Sequence, residues 1–329
     1  MNPGDELINQ PQLWTTHTKS ETQEITPIPP AEDGTPPDEW SGGVHPDGKL
    51  EVTSGFHLHA DKFSRVLAYL ARERQPKGSV YKQLQKATGM SHTQVQAFAQ
   101  YGVNMQLLMP RSLRVTTLGR LVLQYDPFFD QPGTLWLLHY LFASNPLLVV
   151  WNYMCNGVLP AVVEISKAEA ADQFLPFVGR WSESSIRKNV RKELHAFFAD
   201  YVAEMFAPLN YLREVRHNVY AVNRDVAPVP PLILLATVLI YRDRHQPGSS
   251  GVEIPTLVHA DHSPGRIMRQ SEMYLRQALN ELHEAGRLTI ESKANLDQVR
   301  FRSGSTELTT SGSAWLEAVR TYYQEQQGG

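Results

Sequence analysis

Two stretches of this chain share one pattern, in which a β-prone segment runs through Thr-Thr-x-Gly into an apolar helix. The first stretch, Leu113 to Leu123, reads LRVTTLGRLVL, and the second, Thr306 to Val319, reads TELTTSGSAWLEAV. A strand, a Thr-rich turn, a glycine and a short closing helix end many winged-helix domains. The repeat therefore predicts two such modules and makes nucleic acid the first class of partner to consider.

Charge is distributed unevenly along the chain. Residues 1–50 contain nine acidic and two basic side chains, whereas residues 56–126 contain ten basic and three acidic ones. A phosphate-binding surface is therefore expected in the second segment. Residues 1–55 are acidic and Pro-rich without any helical or strand period, so we predict a disordered tail there. Such a tail is either a solubilising extension or an acidic arm that competes with DNA or docks a partner through Trp14 or Trp40.

The segment LQKATGMSHTQVQAFAQYG has the pattern of a helix-turn-helix. Gly89 is expected to supply the left-handed turn, and Ser91 to cap the second helix. Met90 is expected to fill the core between the two helices, and Val95 and Phe98 to point inward. This arrangement indicates a module that contacts DNA, or alternatively one used for pairing with protein.

The solvent side of the second helix is polar or small, which suits a major groove, and Gln side chains can bond to adenine edges. We expect the following residues on that side: His92, Thr93, Gln94, Gln96, Ala97 and Gln100. The predicted DNA-contacting set is Lys82, Lys86, Ser91, His92, Thr93, Gln94, Gln96, Gln100, Arg111 and Arg114. The two arginines lie on the predicted wing, where they either contact phosphates or the minor groove or are solvated loop charges.

The middle of the chain, residues 127–228, is predicted to be mostly helical. Trp136 to Phe142 form a helix that is apolar nearly all the way round, which indicates burial between domains. Ser182 begins a capped helix with a basic patch on its first turns. The patch consists of Arg187, Lys188, Arg191 and Lys192. It either contacts a phosphate backbone or forms a solvated face.

The last segment, residues 229–329, is predicted to be the second winged-helix domain. Its pattern contains an apolar helix at Pro230 to Arg244 and a later helix at Ser271 to Ala285, with Tyr274 among its buried residues. A strand pair, Leu288 to Glu291 and Val299 to Arg302, is expected to form the wing. The later helix is expected to expose three acids, Glu272, Glu281 and Glu284, which would repel phosphates. This segment therefore either binds DNA directly or has a structural or partner-docking role.

Taken together, these patterns predict a mainly α protein with winged helix-turn-helix modules at the N- and C-terminal ends of a helical middle region, with small β wings. The predicted domains are the tail 1–55, the basic winged helix-turn-helix 56–126, the middle domain 127–228 and the second winged-helix domain 229–329.

With these modules in view, the chain resembles the prokaryotic domain of unknown function family 4007, over Phe56 to Tyr323. DPFFDQPGTLWLLHYLFASNP resembles the family's acidic-aromatic segment and Trp-Leu-Leu-His helix, and TGMSHTQVQAFAQYG resembles its helix-turn-helix. Genes of that family tend to lie beside DNA phosphorothioation and other phage-defence operons. The resemblance therefore implies a role with modified or foreign DNA, beside other defence-system proteins. FHLHADKF stands in place of the family's RHETF-like opening, and the acidic tail is additional.

Signatures of catalysis are missing from the sequence: it has no P-loop, dinucleotide-binding glycine motif or G-x-S-x-G elbow. Cys155 lies in an apolar context typical of a buried, inert thiol. His57, His59 and Asp61 form an H-x-H-x-D run that resembles the zinc signature of metallo-β-lactamase-like hydrolases, but Lys62 occupies the place of the next His. We therefore predict no catalytic residues, no metal and no cofactor, and interpret these histidines as surface or helix-capping residues.

A single cysteine fits a reducing compartment, and the apolar runs are too short or too interrupted to span a bilayer, so we expect a cytoplasmic protein without membrane contact. The sequence predicts a non-catalytic subunit that binds double-stranded DNA or acts as an adaptor in a bacterial anti-phage defence or DNA-modification system. Two alternatives stay open: a scaffold that uses its winged helices as protein-docking surfaces, and a transcriptional regulator.

Overall fold

A computed structural model of the chain describes residues 45–72, 78–293, 296–301 and 314–328. These residues are mainly helical, with two small antiparallel sheets. The helices are α1 (Ala60–Arg72), α2 (Val80–Thr88), α3 (His92–Asn104), α4 (Thr117–Tyr125), α5 (Pro132–Ala143), α6 (Val149–Tyr153), α7 (Lys167–Asp172), α8 (Glu183–Val202), α9 (Pro231–His245), α10 (Ile254–His259), α11 (Pro264–Met268), α12 (Glu272–Glu284) and α13 (Ala314–Gly328). The strands are β1 (Glu164–Ser166), β2 (Leu212–Arg216), β3 (Val219–Val222), β4 (Gly251–Glu253), β5 (Thr289–Lys293) and β6 (Leu296–Arg300).

The turn between α2 and α3 has the predicted caps. Gly89 is left-handed with a φ of 72°, and its amide donates to the carbonyl oxygen of Gln85. The Ser91 hydroxyl accepts from the Gln94 amide while the Gln94 side chain accepts from the Ser91 amide, which makes a reciprocal capping box. Met90 is buried, as expected for the residue between the helices. The local sequence pattern is therefore confirmed at these positions.

The predicted strand that enters the first Thr-Thr-x-Gly motif is reduced to one antiparallel bridge, between Leu108 and Val115. The loop closed by that bridge is tight, and Arg111 has a left-handed φ of 63°. Thr116 caps α4 by accepting from the Gly119 amide at 3.0 Å. A Cβ on Gly119 would lie 2.4 Å from the carbonyl oxygen of Leu107, so the motif's glycine permits this close approach.

Most of the predicted tail and most of the second Thr-Thr-x-Gly motif lie outside the described residues. Residues 1–44, including Trp14 and Trp40, and residues 306–313 of the second motif lie outside them. The last part of the predicted tail, residues 45–55, packs against the rest of the chain, since Leu50 and Thr53 are buried.

Helix α5 lies at the centre of the core. Its residues from Gly133 to Ala143 are all buried, and it packs against α3, α9 and α11, which confirms the burial predicted from its all-round apolar pattern. Buried side chains from Leu50 to Tyr323 form one contiguous hydrophobic cluster. The predicted segments therefore share a core, and the domain boundaries stay a prediction.

Each sheet has three strands among the residues that the structure describes. One has the order β1-β3-β2, and lies in the middle segment that was expected to be mostly helical. The other has the order β4-β6-β5, with Ile290 opposite Val299. The predicted strand pair is therefore present, although its second strand begins at Leu296 and the predicted end, Arg302, lies outside the described residues. Strand β4 was not predicted. Tyr274 on α12 was expected to be buried but is 39% exposed, because it lies beside the buried stripe of Leu275, Ala278 and Leu279 rather than on it.

The C-terminal helix α13 returns to the centre of the molecule. The Tyr322 hydroxyl accepts from the Gly133 amide at 3.3 Å, and the Tyr323 and Thr134 hydroxyls lie 2.7 Å apart. The Tyr323 ring also stacks on Tyr125 of α4. In the described part of the chain, no helix has the length and apolar character needed to cross a membrane.

Candidate functional site

The first candidate surface is the solvent side of α3. His92, Thr93, Gln96 and Gln100 are exposed there. Ala97 was expected on the same side but is buried, because α3 packs against α1 and α2 as well as α5 and so buries a wider stripe than its periodicity suggests. The exposed face is therefore narrower than predicted.

Some predicted contact residues already have partners within the protein. The side chains of Ser91 and Gln94 are both occupied by the capping box, which orients them toward the backbone. The His92 ring contacts the Tyr81 ring edge-on, with centroids 5.9 Å apart. Among the predicted side chains on α3, this leaves Thr93, Gln96 and Gln100 as the ones most able to bond an external group.

Four of the residues predicted to contact DNA are basic and lie before or after α3 in the sequence. Lys82 and Lys86 are exposed on α2, and Arg111 and Arg114 are exposed on the loop closed by the Leu108–Val115 bridge. None of the four forms an ion pair with another described residue, unlike Arg65, which pairs with Asp61. Their charges are therefore available for phosphates.

A second candidate surface is an open groove of about 840 Å³ along the first turns of α8. Its basic lining consists of Lys167, Arg187, Lys188, Arg191, Lys192 and His195. Arg187 pairs with Glu183, and Lys192 with Glu51. Lys188 and Arg191 have no ion-pair partner among the residues that the structure describes. The basic patch predicted on this helix thus lines a groove rather than a flat face.

Beside this groove, two histidines meet one glutamate. His57 and His59 lie just before α1, and Glu204 lies just after α8. His57 Nε2 is 3.4 Å from Glu204 Oε1, and His59 Nδ1 is 2.7 Å from Glu204 Oε2. The His57 ring is also 6.2 Å from the ring of His195, a residue of the groove. Asp61, which the H-x-H-x-D pattern grouped with them, is bound to Arg65 instead.

A buried hydrogen-bond network positions the two histidines. Leu58, between them, is fully buried, and its amide donates to Asp200 Oδ1 at 2.6 Å. Tyr101 of α3 donates to Asp200 Oδ2 at 2.7 Å. Since Leu58 points into the core, its two neighbours in sequence face the other way, toward Glu204. Burial raises the pKa of Asp200 well above its ordinary value, and burial lowers the pKa of His57.

Sequence reasoning did not find Glu204, Asp200 or Glu193, the acids on or just after α8 that contact residues 52–59. Glu193 accepts from the Val52 and Thr53 amides, and Asp200 from the Leu58 amide. No local motif connects positions so far apart. One signal was present: Glu193 and Asp200 fall on the apolar stripe of α8, where an acid needs a specific partner.

The single cysteine is not part of either surface. Cys155 is fully buried, and burial raises its pKa to about 12, which agrees with the inert thiol predicted from its apolar context.

Two solved structures resemble this fold. They are described as "SspB crystal structure" and "Magnesium ion-bound SspB crystal structure". Each is 16% identical to this chain, covers 83% of it and 87% of its own length, and has a TM-score of 0.69. At this identity the likeness concerns the fold alone. No curated protein matches the sequence.

The family comparison extends across most of the structure. It matches residues 95–317, from α3 into α13, and so includes both sheets and the central helix α5. This range covers more than half of the chain. The chain belongs to the family described as "Protein of unknown function (DUF4007)".

Proposed function

We propose that this protein binds double-stranded DNA, without catalysis of its own, as a subunit of a bacterial anti-phage defence or DNA-modification system. In this proposal α1 to α4 act as a winged helix-turn-helix with a shortened wing, and other proteins of the system are its partners. The defence context rests on the family resemblance. The observation that supports DNA binding most directly is the polar, exposed face of α3 after a capped turn.

The spacing of that face suits a DNA groove. His92, Gln96 and Gln100 are each four residues apart, so they follow one side of the helix over two turns. A major groove admits an α-helix, and a Gln amide can form two hydrogen bonds with an adenine edge. We therefore expect Gln96 and Gln100 to contact bases and His92 to lie near the point where α3 enters the groove.

The cations supply the part of the affinity that does not depend on sequence. Lys82 and Lys86 precede α3 on the packed neighbour α2, and Arg111 and Arg114 lie on the wing loop. Contacts from such side chains to phosphates set the position of a protein on the duplex. The groove along α8, with Lys188 and Arg191, is a second surface suited to a phosphate backbone.

The test is a fluorescence-anisotropy titration of labelled duplex DNA with the full chain, across a salt series. The variant Gln96→Ala/Gln100→Ala should weaken binding by about tenfold or more, because each base contact contributes about 1–3 kcal/mol. The matched control is Gln277→Ala/Asn280→Ala on α12, which removes two exposed amides from another helix. The control should bind as the unchanged protein does.

The salt series distinguishes phosphate contacts, which do not depend on sequence, from base contacts, which do. The logarithm of the affinity should fall linearly with the logarithm of salt, with a slope of about −0.9 for each phosphate contact. Lys82→Ala/Lys86→Ala should make this slope shallower without changing sequence preference. If the full chain does not bind duplex DNA at low salt, the proposal is wrong.

A second candidate function, a protein-docking scaffold, is favoured by one feature of α12. Met273 is 77% exposed and lies beside the exposed ring of Tyr274, and residues of this kind are enriched at protein interfaces. Met273→Ser/Tyr274→Ser should then prevent co-purification of a partner encoded beside the gene, while DNA binding is retained. Unchanged co-purification would exclude α12 as the docking surface.

A further inference from the structure

We propose that His57, His59 and Glu204 bind one divalent transition-metal ion, with Zn²⁺ the best suited. The proposal does not depend on DNA binding. Within the described residues, these three form the one group of His, Cys, Asp or Glu side chains whose ligand atoms all lie within 4.8 Å of one another.

The distances suit a shared ion. His57 Nε2 and His59 Nδ1 lie 3.4 Å and 2.7 Å from the two Glu204 oxygens. Ligand atoms that bind one Zn²⁺ at about 2.0–2.2 Å in tetrahedral geometry are about 3.3–3.6 Å apart. The His57–Glu204 separation already has this value, whereas His59 and Glu204 would have to move apart by about 0.6 Å to share the ion. The partly exposed side chains leave the ion a path from solvent.

The ligands are held on a rigid support. Leu58 is anchored by its amide to Asp200 and by its side chain in the core, and the carbonyl oxygen of Phe56 accepts from the Tyr101 hydroxyl at 3.1 Å. Glu204 follows α8, the helix that carries Asp200. Both sides of the cluster are therefore fixed before an ion arrives, which reduces the entropy lost on binding.

The types of ligand decide which ion is favoured. Two imidazoles and one carboxylate are the ligands typical of catalytic Zn²⁺ sites and of several other transition-metal sites. Mg²⁺ takes oxygen ligands in octahedral geometry, and this cluster offers only one carboxylate. The site should therefore prefer Zn²⁺ strongly over Mg²⁺. Three protein ligands leave at least one coordination position, which water would fill on the exposed side of the cluster.

The consequence of binding is a link between two parts of the molecule. His57 and His59 precede α1, which packs with α2 and α3, whereas Glu204 follows α8, the helix that lines the basic groove. An ion held by all three joins these parts at the edge of the groove, where His195 lies 6.2 Å from His57. Metal binding should therefore stabilise the folded chain, because the ion binds the assembled site and not the unfolded chain.

The experiment is isothermal titration of the metal-stripped full chain with ZnCl₂ and separately with MgCl₂, in the absence of DNA. We expect one equivalent of Zn²⁺ to bind, and Mg²⁺ to bind at least about 100-fold more weakly. Glu204→Gln preserves the shape of the side chain but removes its charge, and should weaken Zn²⁺ binding by about tenfold or more. His217→Ala, which removes an exposed histidine outside the cluster, should bind as the unchanged protein does.

A spectroscopic measurement identifies the ligands. Co²⁺ in place of Zn²⁺ should give visible absorption bands whose intensity reports a four- or five-coordinate site, and His59→Ala should lose them. Circular dichroism without metal shows whether each variant is folded, and His57→Gln replaces His59→Ala if the latter is not. The proposal is overturned if no stoichiometric Zn²⁺ binding occurs, or if Glu204→Gln and the histidine variants bind Zn²⁺ like His217→Ala.

Discussion

The carboxylate of Glu193, on α8, accepts a hydrogen bond of 2.7 Å from the backbone amide of Thr53, which lies 140 residues earlier in the chain. The same oxygen accepts from the Val52 amide and the Thr53 hydroxyl, and the other oxygen from the Trp151 indole. Burial raises the pKa of Glu193, and these hydrogen bonds oppose that shift. One buried acid thus attaches residues 45–55 to the core.

Glu193→Ala should lower the free energy of unfolding by about 3 kcal/mol or more, because it leaves several buried donors without an acceptor. Glu193→Gln is the matched control, since it keeps one acceptor oxygen and the side-chain volume, and it should lose less. Urea unfolding at neutral pH measures both. Equal losses for the two variants would contradict this explanation, because Gln keeps the side-chain volume and the acceptor oxygen that Ala lacks.

Gly119→Ala should destabilise the protein by about 1–3 kcal/mol, as expected for overpacking. The new Cβ would lie 2.4 Å from the Leu107 carbonyl oxygen and 2.7 Å from Val115 Cγ1, so α4 would have to move away from the loop. Gly328→Ala at the end of α13 is the control, because its Cβ meets nothing within 4 Å. Thermal unfolding of the two variants gives the comparison, and a similar melting temperature for both would contradict this account of the motif.

Removing residues 1–44 should strengthen DNA binding a few-fold at low salt, with the difference shrinking as salt rises. This segment carries eight acidic and one basic side chain, and screening weakens its competition with phosphates. A chain that begins at His45 keeps Leu50 and Thr53, which are part of the core. A full-length variant with the eight acids changed to amides should behave like the shortened chain. Unaltered binding in both would exclude the acidic-arm hypothesis.

The stacked pair His245 and His262 should make the folded protein sensitive to acid. Burial, with Arg244 nearby, lowers the pKa of His245 to about 4. Burial, together with His245, Arg244 and Arg266, lowers that of His262 to about 3. Their contribution to stability is therefore present above pH 6.5, the ordinary value, and is lost as the pH falls through 6.5 toward the folded values, because the unfolded chain takes up the protons first.

His262→Asn isolates this contribution, since Asn tolerates the left-handed φ of 61° at that position. Between about pH 7 and pH 5, the unchanged protein should lose about 1–2 kcal/mol more stability than this variant. The difference between the two stability–pH curves excludes the contributions of other titrating groups near the pair, such as Asp261, because both proteins keep those groups. Parallel stability curves for the variant and the unchanged protein would contradict the assignment.

Local patterns in the sequence were enough to predict the caps and several of the helices. The cap positions of Gly89 and Ser91 were predicted correctly because a cap depends on residues within one helical turn. The same holds for Ser182 at the start of α8. The burial of α5 was also predictable, since a helix without a polar face has no side to turn to water. The basic patch of α8 was visible as a run of charges.

Contacts between distant segments were decided by the tertiary structure. Ala97 is buried and Tyr274 exposed because burial depends on which neighbours pack against α3 and α12, and helical periodicity describes only the helix itself. Likewise, His57 and His59 meet Glu204 rather than Asp61, since the path of the chain brings the end of α8 beside the start of α1. Residue types and local spacing thus determined the helices and their caps, whereas long-range packing determined the candidate metal ligands and the basic groove.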